Sequence, residues 1–320
     1  MKAALATAYG GPDVIRIAEV PNPSPKKNEV LIRIHASAVN AADWRLRSAN
    51  PWFVRLVFGP FKPRRAILGV VFAGEVAEAG VAVSKYKKGD RLFGWTSIMG
   101  LGGHAEFIAL KENGAFAPMP DGMSYTDAAA IPFGFGTARH FLHKARVGKG
   151  QSVLIYGASG AVGSAAVQLA RAMGADVTGV CSTRNVELVR SLGAVEVLDY
   201  TKDDLLAHRD RYDVVFETVG KLPFKDSLKL VKPQGTIITG SEMPGQMLKR
   251  AFSGKGGKQV TVIGGTAAES AADMQLLADL WQREEIHPVI DSTFPLERIR
   301  EAHALAESGR KVGNVVITLP

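Results

Sequence analysis

A glycine-rich run at 157–163, Gly-Ala-Ser-Gly-Ala-Val-Gly, is the part of the chain best suited to binding phosphate. An apolar strand is predicted directly before it, over Ser152–Tyr156, and a helix after it, over 163–173. Backbone N–H groups at a helix N-terminus bind a pyrophosphate, and glycines let the chain approach it closely. The run therefore predicts a dinucleotide site, formed by Gly157, Ser159, Gly160, Ala161, Val162 and Gly163.

The spacing of these glycines leaves two other interpretations open. It is G-x-x-G-x-x-G rather than the G-x-G-x-x-G that is typical of dinucleotide sites, so a tight turn without a ligand also fits. Ser159 could also be a hydrolase nucleophile on a strand–turn–helix segment, but that elbow requires G-x-S-x-G, and residue 161 is alanine. The strand and helix around the run, and the βαβ pattern after it, favour the dinucleotide site.

The end of the second strand indicates which dinucleotide binds. Folds that prefer NAD place Asp or Glu there to bind the ribose 2′-hydroxyl. This chain instead has Ser182 and Arg184 after a strand predicted over Asp176–Cys181. Because both side chains can bind a 2′-phosphate, and no carboxylate at that strand end repels it, the sequence predicts NADPH as the cofactor. The alternative is that Arg184 only begins the next helix on the surface.

Length and composition limit the classes of protein to which this chain can belong. A chain of 320 residues exceeds the size at which one hydrophobic core usually stops growing, which favours two domains. The single cysteine, Cys181, excludes an internal disulfide and a zinc site built from several thiolates. The chain has neither the apolar core of a signal peptide nor an apolar stretch of about 18 residues. We therefore expect a cytoplasmic protein without a membrane partner.

A formal charge of +8 raises the question of nucleic acid as a partner. Basic residues cluster at 62–65, 85–88 and 249–258, but only Tyr86 and Phe252 interleave with them. Two aromatic residues are too few for a base-stacking platform, so we expect solvated basic surfaces and no nucleic-acid partner.

Two patterns of secondary structure follow one another along the chain. The first third is predicted to contain short strands at 30–35, 70–76 and 91–95. From about residue 123, strands alternate with helices, which predicts a doubly wound parallel sheet of six strands. The C-terminal part is predicted to form helices at 267–284 and 295–308, then a strand over Asn314–Thr318 that completes the first domain's sheet.

The predicted fold class is therefore α/β, with two domains. A mixed β domain is formed by 1–122 and 266–320, and a doubly wound nucleotide-binding domain by 123–265.

Five motifs match one family over the whole chain. They lie at 38–44 (Ala-Val-Asn-Ala-Ala-Asp-Trp), 103–107 (Gly-His-Ala-Glu-Phe), 153–163, 192–200 and 313–316. The chain resembles the medium-chain dehydrogenase/reductase superfamily, in its zinc-free quinone oxidoreductase branch. The resemblance implies that the first domain is a groES-like catalytic domain and that the second is a Rossmann domain.

The resemblance also implies residue roles. Thr137 would approach the nicotinamide ribose, Tyr200 would join Ser182 and Arg184 at the adenosine end, and Val219 and Gly240 would line the cofactor groove. Asn314 occupies a position where many relatives have lysine near the nicotinamide. The zinc ligands of metal-dependent relatives correspond to Asn40 and Val70. Neither residue type suits zinc, so no metal is expected.

The resemblance implies hydride transfer from NADPH to a quinone or an α,β-unsaturated carbonyl. We expect Asn40 to donate to the substrate oxygen and Asp43 to orient its loop, with Trp44, Trp52 and Phe53 lining an apolar pocket. His104 is expected in a strand, and His140 and His143 in solvent. Two alternatives stay open: a crystallin-like or RNA-binding protein that retains the fold and cofactor site, and a stand-alone enoyl-thioester reductase.

The apolar strand predicted at 260–263 lies last in the nucleotide domain and predicts a homodimer. Such an edge leaves backbone N–H and C=O groups unpaired, and pairing with a two-fold mate would satisfy them. The alternative is a loop at 240–258 that folds over this edge and keeps the chain monomeric.

Overall fold

A computed structural model describes residues 1–96, 100–240, 259–268 and 270–320. It divides the chain into two compact units, Met1–Phe133 with Glu269–Pro320, and Gly134–Ala268. The sequence predicts boundaries after residues 122 and 265, whereas the units divide after Phe133 and Ala268. The first difference arises because a long helix, Tyr125–Lys144, crosses the boundary. The change of pattern in the sequence marks the start of that helix, and the units divide within it.

The strands are β1 (Lys2–Ala6), β2 (Ile15–Glu19), β3 (Glu29–Val39), β4 (Val71–Ala79), β5 (Arg91–Trp95), β6 (Phe107–Lys111), β7 (Phe116–Pro118), β8 (Ser152–Tyr156), β9 (Asp176–Cys181), β10 (Glu196–Asp199), β11 (Tyr212–Glu217), β12 (Val231–Thr239), β13 (Thr261–Gly264), β14 (Ile290–Pro295) and β15 (Asn314–Thr318). The helices are α1 (Ala41–Ser48), α2 (Val54–Phe58), α3 (Tyr125–Lys144), α4 (Ala161–Ala172), α5 (Val186–Ser191), α6 (Phe224–Leu230), α7 (Ala271–Gln282) and α8 (Ile299–Glu307).

A mixed sheet forms the first unit. Its strand order is β14-β15-β3-β4-β5-β7, and β6 also pairs with β3. Along β3 the apolar residues Val30, Ile32 and Ile34 are fully buried, as alternation with polar residues predicts for a half-buried strand. The C-terminal strand β15 pairs antiparallel with β3 and parallel with β14. The prediction that this strand completes the first unit's sheet is confirmed.

The second unit is a parallel sheet of six strands in the order β10-β9-β8-β11-β12-β13. This order is that of a doubly wound nucleotide-binding fold, with its switch point between β8 and β11. The predicted fold class is confirmed. All six strands run the same way, so their carboxyl ends lie at one edge of the sheet, where such folds bind ligands.

A polar cluster is buried in the first unit, on α1, α8 and the turn before β6. Arg47 has no exposed side-chain surface, yet its guanidinium contacts the Glu307 carboxylate at 2.6 Å and the Gly10 carbonyl at 2.9 Å. The ring of His303 lies perpendicular to that of His104, with 5.6 Å between centroids. Within residues 1–96 and 270–320, neither ring nitrogen of His303 has a hydrogen-bond partner.

Burial keeps the pKa of His303 well below its ordinary 6.5, and the nearby charges of His104 and Arg47 act in the same direction. Its imidazole is therefore neutral in the folded chain at neutral pH. A buried polar group without partners costs free energy, because unfolding returns it to water.

We predict that His303→Leu raises the free energy of unfolding by about 1–3 kcal/mol at neutral pH, because leucine fills the site without unsatisfied nitrogens. Below pH 6.5 the imidazole of His303 is protonated in the unfolded wild type but stays neutral in the folded one. The free energy of unfolding of the wild type therefore falls as pH falls. The advantage of the variant should then widen by about 1.4 kcal/mol per pH unit. Urea unfolding at neutral and mildly acidic pH measures both effects.

The matched control is His143→Leu, at an exposed position on α3. It should change the free energy of unfolding by less than about 0.5 kcal/mol, because its side chain is exposed. A destabilised His303→Leu variant with an unchanged pH dependence would contradict this account of the cluster.

Candidate functional site

The turn between β8 and α4 requires two of its glycines. Gly157 has a φ of +83°, and a Cβ there would lie 2.1 Å from the Val219 Cγ2 atom. A Cβ on Gly163 would lie 2.0 Å from the Gly157 carbonyl oxygen. Neither contact is sterically possible, so both positions need glycine for the turn to close in this way.

Gly160 differs from these two glycines. It precedes the first residue of α4 in an extended conformation, and a Cβ there would meet only the Gly157 oxygen, at 3.5 Å. The chain itself therefore leaves room for a side chain at this position. No side chain caps α4 within the described residues, and its first turn carries no carboxylate. The helix start with Ala161, Val162 and Gly163 thus fits a bound pyrophosphate, which the positive end of the helix dipole attracts.

Most of the other residues expected at the dinucleotide follow the carboxyl ends of the parallel strands. Backbone bonds tie neighbouring strand ends together: Gly157 N–H donates to the Val180 carbonyl at 3.0 Å, and Tyr200 N–H donates to the Cys181 carbonyl at 3.1 Å. Four of the expected residues lie at this one edge, after β9, β10, β11 and β12 respectively: Ser182, Tyr200, Val219 and Gly240. The roles of these residues stay predictions.

Asn185 is a residue of this edge that sequence reasoning missed. Its buried side-chain amide donates to the Ser159 hydroxyl at 3.0 Å and to the Ser182 hydroxyl at 3.3 Å. It therefore links the glycine-rich turn to the end of β9. The available signal was its position directly before α5, where asparagine is a frequent N-cap residue.

Arg184 lies exposed in a short 3-10 turn after β9. This position fits both a residue that meets a cofactor phosphate and a surface residue before the next helix, so its role stays a prediction. Asp199, at the end of β10, is a carboxylate that sequence reasoning missed. The hydroxyls of Thr183 and Thr201 donate to it, and Lys202 lies 3.7 Å away. The Thr183 hydrogen bond is the largest cause that lowers the pKa of Asp199 to about 2, so this carboxylate is ionised.

Thr137 lies on α3, one turn after Gly134. A Cβ on Gly134 would lie 2.6 Å from the Ala161 carbonyl, so this part of α3 packs directly against the start of α4. Residues three apart share a helix face, which brings the buried Thr137 toward the same helix start.

Glu217, buried at the end of β11, shapes the next turn. Its Oε1 atom accepts the backbone N–H groups of Val219 at 2.8 Å, Gly220 at 2.5 Å and Lys221 at 3.2 Å. These bonds fix the turn that carries Val219. Sequence reasoning missed Glu217 because a carboxylate at the end of an apolar strand gives no sign of its backbone partners.

In the first unit, Asp43 joins two segments of backbone. Its carboxylate accepts the N–H of Asn40 at 2.8 Å and that of Gly69 at 3.0 Å. Asn40 and Asp43 form a capping box at the start of α1. Burial raises the pKa of Asp43, whereas the nearby His104 and the backbone N–H donors lower it. The geometry suits the loop-orienting role expected of Asp43, and that role stays a prediction.

The Asn40 side chain is buried with one of its amide protons engaged. Its Nδ2 atom donates to the Ala38 carbonyl at 3.3 Å, and the His104 Nε2 atom lies 3.4 Å from the same oxygen. The expectation that His104 belongs to a strand is wrong, because it lies in a bend before β6. Burial lowers the pKa of His104, and Asp43 opposes that effect.

Asn314 starts β15 at the sheet end that also carries Asn40, because Val315 pairs with Val39 in antiparallel register. Its Nδ2 atom donates to the Val289 carbonyl at 3.0 Å. Its Oδ1 atom is buried without a partner in the described part of the chain. Nearby in sequence, Lys311 donates to the Gly313 carbonyl, and burial lowers its pKa to about 8 against the opposing charge of Asp291.

Two further expectations about side chains change. Trp44 packs against the hydrophobic core of the first unit, while Trp52 is exposed beside Phe53, so the three expected aromatic residues do not form one wall. His143 is exposed as expected, but His140 is half-buried and its Nδ1 atom accepts the Ala268 N–H at 3.3 Å.

Two negative findings apply to the described residues. In that part of the chain no three His, Cys, Asp or Glu side chains are grouped as a metal site would require. No helix there is long and apolar enough to cross a membrane.

Comparisons with known proteins agree on one family. The family model described as alcohol dehydrogenase GroES-like domain matches residues 26–121, and the model described as zinc-binding dehydrogenase matches residues 192–317. The chain is similar to the chloroplast envelope quinone oxidoreductase homolog of Arabidopsis thaliana, with 31% identity over 99% of this chain and 98% of the relative. The chain belongs to the medium-chain dehydrogenase/reductase superfamily.

Two more similarities indicate to which branch of this family the chain belongs. The 2-methylene-furan-3-one reductase of Solanum lycopersicum is 32% identical over 99% of this chain and 79% of the relative. The solved structure of the quinone oxidoreductase from Coxiella burnetii superposes with a TM-score of 0.91 at 27% identity, covering 100% of this chain and 99% of the other. The chain therefore belongs to the quinone oxidoreductase branch. It is an oxidoreductase whose cofactor class is a nicotinamide dinucleotide.

The glycine-rich turn allows a matched pair of substitutions. We predict that Gly160→Ala changes the free energy of unfolding by less than about 1 kcal/mol, because the chain leaves room for a Cβ there. Its dinucleotide affinity should fall by roughly tenfold or more, because a bound phosphate needs that room. Gly163→Ala should cost about 1–3 kcal/mol of stability even without ligand, because its Cβ overlaps the Gly157 oxygen.

Calorimetric titration and thermal unfolding of both variants separate the two effects. Equal loss of stability in both variants, or full dinucleotide affinity in Gly160→Ala, would contradict this assignment of the phosphate site.

Proposed function

We propose that this protein is an NADPH-dependent oxidoreductase that transfers hydride to a quinone or an α,β-unsaturated carbonyl without a metal ion. The observation that carries the proposal is the glycine-rich turn at 157–163, which leaves room for a side chain at Gly160 and leaves the start of α4 without a side-chain cap. The names of two relatives support the substrate class, because one is a quinone oxidoreductase homolog and the other reduces a methylene-furanone.

Most of the residues that would hold the dinucleotide lie at the carboxyl edge of the parallel sheet. Backbone N–H groups at 161–163 would bind the pyrophosphate, since that of Gly160 already donates to the Gly157 carbonyl at 3.0 Å. Ser182 and Arg184 would bind the 2′-phosphate. Thr137 would approach the nicotinamide ribose, Tyr200 the adenosine, and Val219 and Gly240 the groove. When bound, the nicotinamide would supply the hydride.

Asn40 would polarise the substrate oxygen in place of a metal. One of its amide protons is engaged by Ala38, which leaves the other to donate to a carbonyl or quinone oxygen. Negative charge develops on that oxygen as hydride arrives, and a preorganised donor stabilises it without reorganisation. Asp43 holds the Asn40 backbone and thereby keeps this donor in place.

The proposal that the reaction needs no metal ion rests on the residue types at two positions. The positions that match zinc ligands in metal-dependent relatives hold Asn40 and Val70, and valine has no donor atom. One matching family model is nevertheless described as zinc-binding dehydrogenase, so metal dependence needs a direct test.

Two charges of opposite sign bear on the choice between NADPH and NADH. A charge-assisted hydrogen bond from Arg184 to the 2′-phosphate would contribute roughly 1.5–3 kcal/mol. The ionised Asp199 opposes it through repulsion, but hydroxyl donors and Lys202 already offset part of that charge. We therefore infer that the preference for NADPH is set by Arg184 and moderated by Asp199.

Consumption of NADPH with a set of acceptors tests the proposed reaction. We expect turnover with a quinone or an enone, slower or no turnover with a saturated aldehyde, and an unchanged rate in the presence of a chelator. Loss of activity on chelation with one zinc per chain would contradict the metal-free assignment. Preference for an enoyl thioester would favour the stand-alone reductase instead, and NADPH binding without turnover of any acceptor would favour a binding protein.

In calorimetric titration, NADPH should bind at least roughly tenfold more tightly than NADH. Arg184→Ala should remove this preference, and Asp199→Asn should strengthen it. Arg190→Ala is the matched control, because that exposed arginine pairs with Glu187 on α5. Equal affinities for the two dinucleotides, or an Arg184→Ala variant that still prefers NADPH, would overturn the assignment of Arg184.

We also propose that the chain forms a homodimer through β13. This strand ends the described order of the parallel sheet, and its residues Thr261 and Val262 are exposed. Pairing with a two-fold mate would join two sheets of six strands. The basic cluster at 249–258, and all but the first residue of the loop that could cover this edge, lie outside the described residues.

We predict a wild-type mass of two chains in light scattering at micromolar concentration. Val262→Pro should give one chain, because proline cannot donate to a strand ladder, whereas Val262→Thr keeps its N–H and should stay dimeric. A monomeric wild type, or a proline variant that remains dimeric, would show that this strand is not the interface.

A further inference from the structure

An apolar patch is exposed on one short segment of the first unit, at 52–65. The exposed fractions are 70% for Trp52, 68% for Leu56, 51% for Val57 and 91% for Phe61. These are four of the ten large hydrophobic side chains that are exposed in the described chain, so the exposure is concentrated rather than scattered. Exposed apolar residues grouped in this way mark interaction surfaces.

The same segment carries only positive charge. Arg55, Lys62, Arg64 and Arg65 are exposed, and no Asp or Glu occurs between Asp43 and Glu75. The described residues show no salt bridge to any of these four cations. The patch is therefore complementary to an anionic surface.

The segment is an ordered part of the unit. The Tyr9 hydroxyl donates to the Gly59 carbonyl at 2.8 Å, and the Arg64 N–H donates to the Phe58 carbonyl at 2.8 Å. Gly59 has a φ of +127°, and a Cβ there would lie 2.1 Å from the Lys62 carbonyl, so the turn needs glycine. Val54 is buried and anchors α2. The backbone is thus held from within while the apolar side chains stay in solvent.

Its composition distinguishes among possible anionic partners. Tryptophan and phenylalanine beside aliphatic residues and basic side chains are typical of segments that lie in the headgroup layer of a membrane. Anionic lipids attract such cations, and the acyl boundary accepts the apolar side chains. Single-stranded nucleic acid would also use aromatic residues and cations, but Leu56 and Val57 have no face on which a base stacks.

We propose that the surface formed by 52–65 binds the headgroup layer of a bilayer that contains anionic lipid. The exposed apolar side chains enter the boundary with the acyl chains, and the four cations contact lipid phosphates. The binding is peripheral, is independent of the proposed reaction, and weakens as salt screens the cations.

Sedimentation with vesicles tests this surface in the full chain. One vesicle preparation contains phosphatidylcholine alone, and the other equal parts of phosphatidylcholine and phosphatidylglycerol. We expect the chain to sediment with the mixed vesicles and to stay in solution with phosphatidylcholine alone. Phe61→Ser and the pair Arg64→Glu with Arg65→Glu should each lower the affinity for mixed vesicles by roughly fivefold or more.

Two control variants match these changes outside the surface. Val81→Ser removes a side chain that is also 91% exposed, and Lys87→Glu with Lys88→Glu makes the same change of net charge at an exposed basic pair. Both should bind mixed vesicles as the wild type does. All these positions are exposed, so circular dichroism and NADPH affinity should be unchanged in every variant.

Several outcomes would overturn the proposal. They are no sedimentation with either vesicle, equal sedimentation with both, or equal losses in the control variants. Retention on RNA that is lost in the Phe61 and Arg64–Arg65 variants, without vesicle binding, would assign the surface to nucleic acid. A change of mass in light scattering for Phe61→Ser would assign it to a second copy of the chain.

Discussion

The contact between the Gly157 carbonyl and the start of α4 is the constraint on which the nucleotide unit depends. Because Gly163 has no Cβ, this carbonyl can lie where a side chain would begin, and the helix starts after a turn of four residues. No side chain caps the first N–H groups of α4 in the described chain. The bonds of Asn185 and Glu217 then hold the neighbouring turns around that helix start.

Asp43 imposes a comparable constraint in the first unit. A buried carboxylate that accepts N–H groups from two separate segments fixes both of them, and removing it would leave those donors unsatisfied. In the proposed reaction Asn40 would donate with its free amide proton, while its backbone N–H and its other amide proton stay engaged by Asp43 and Ala38. Rigid support of this kind is what a donor needs when it replaces a metal ion as the group that polarises a substrate oxygen.

Much of the fold follows from local patterns, and much of the site does not. The predicted bounds of β8, β9 and β15 match the structure, because apolar runs between turn residues mark elements locally. Asn185, Asp199 and His303 act through residues on other elements, which a single sequence does not bring together. Solvent exposure cannot be predicted from a single sequence for the same reason. The sequence shows aromatic and basic residues at 52–65, but only the packing shows which of their side chains face solvent.

A crystal structure of the chain with NADPH bound tests the proposed phosphate site. Pyrophosphate oxygens should lie within hydrogen-bond distance of the backbone N–H groups at 161–163, with the 2′-phosphate beside Ser182 and Arg184. A dinucleotide bound away from the start of α4, or no bound dinucleotide at saturating concentration, would contradict it.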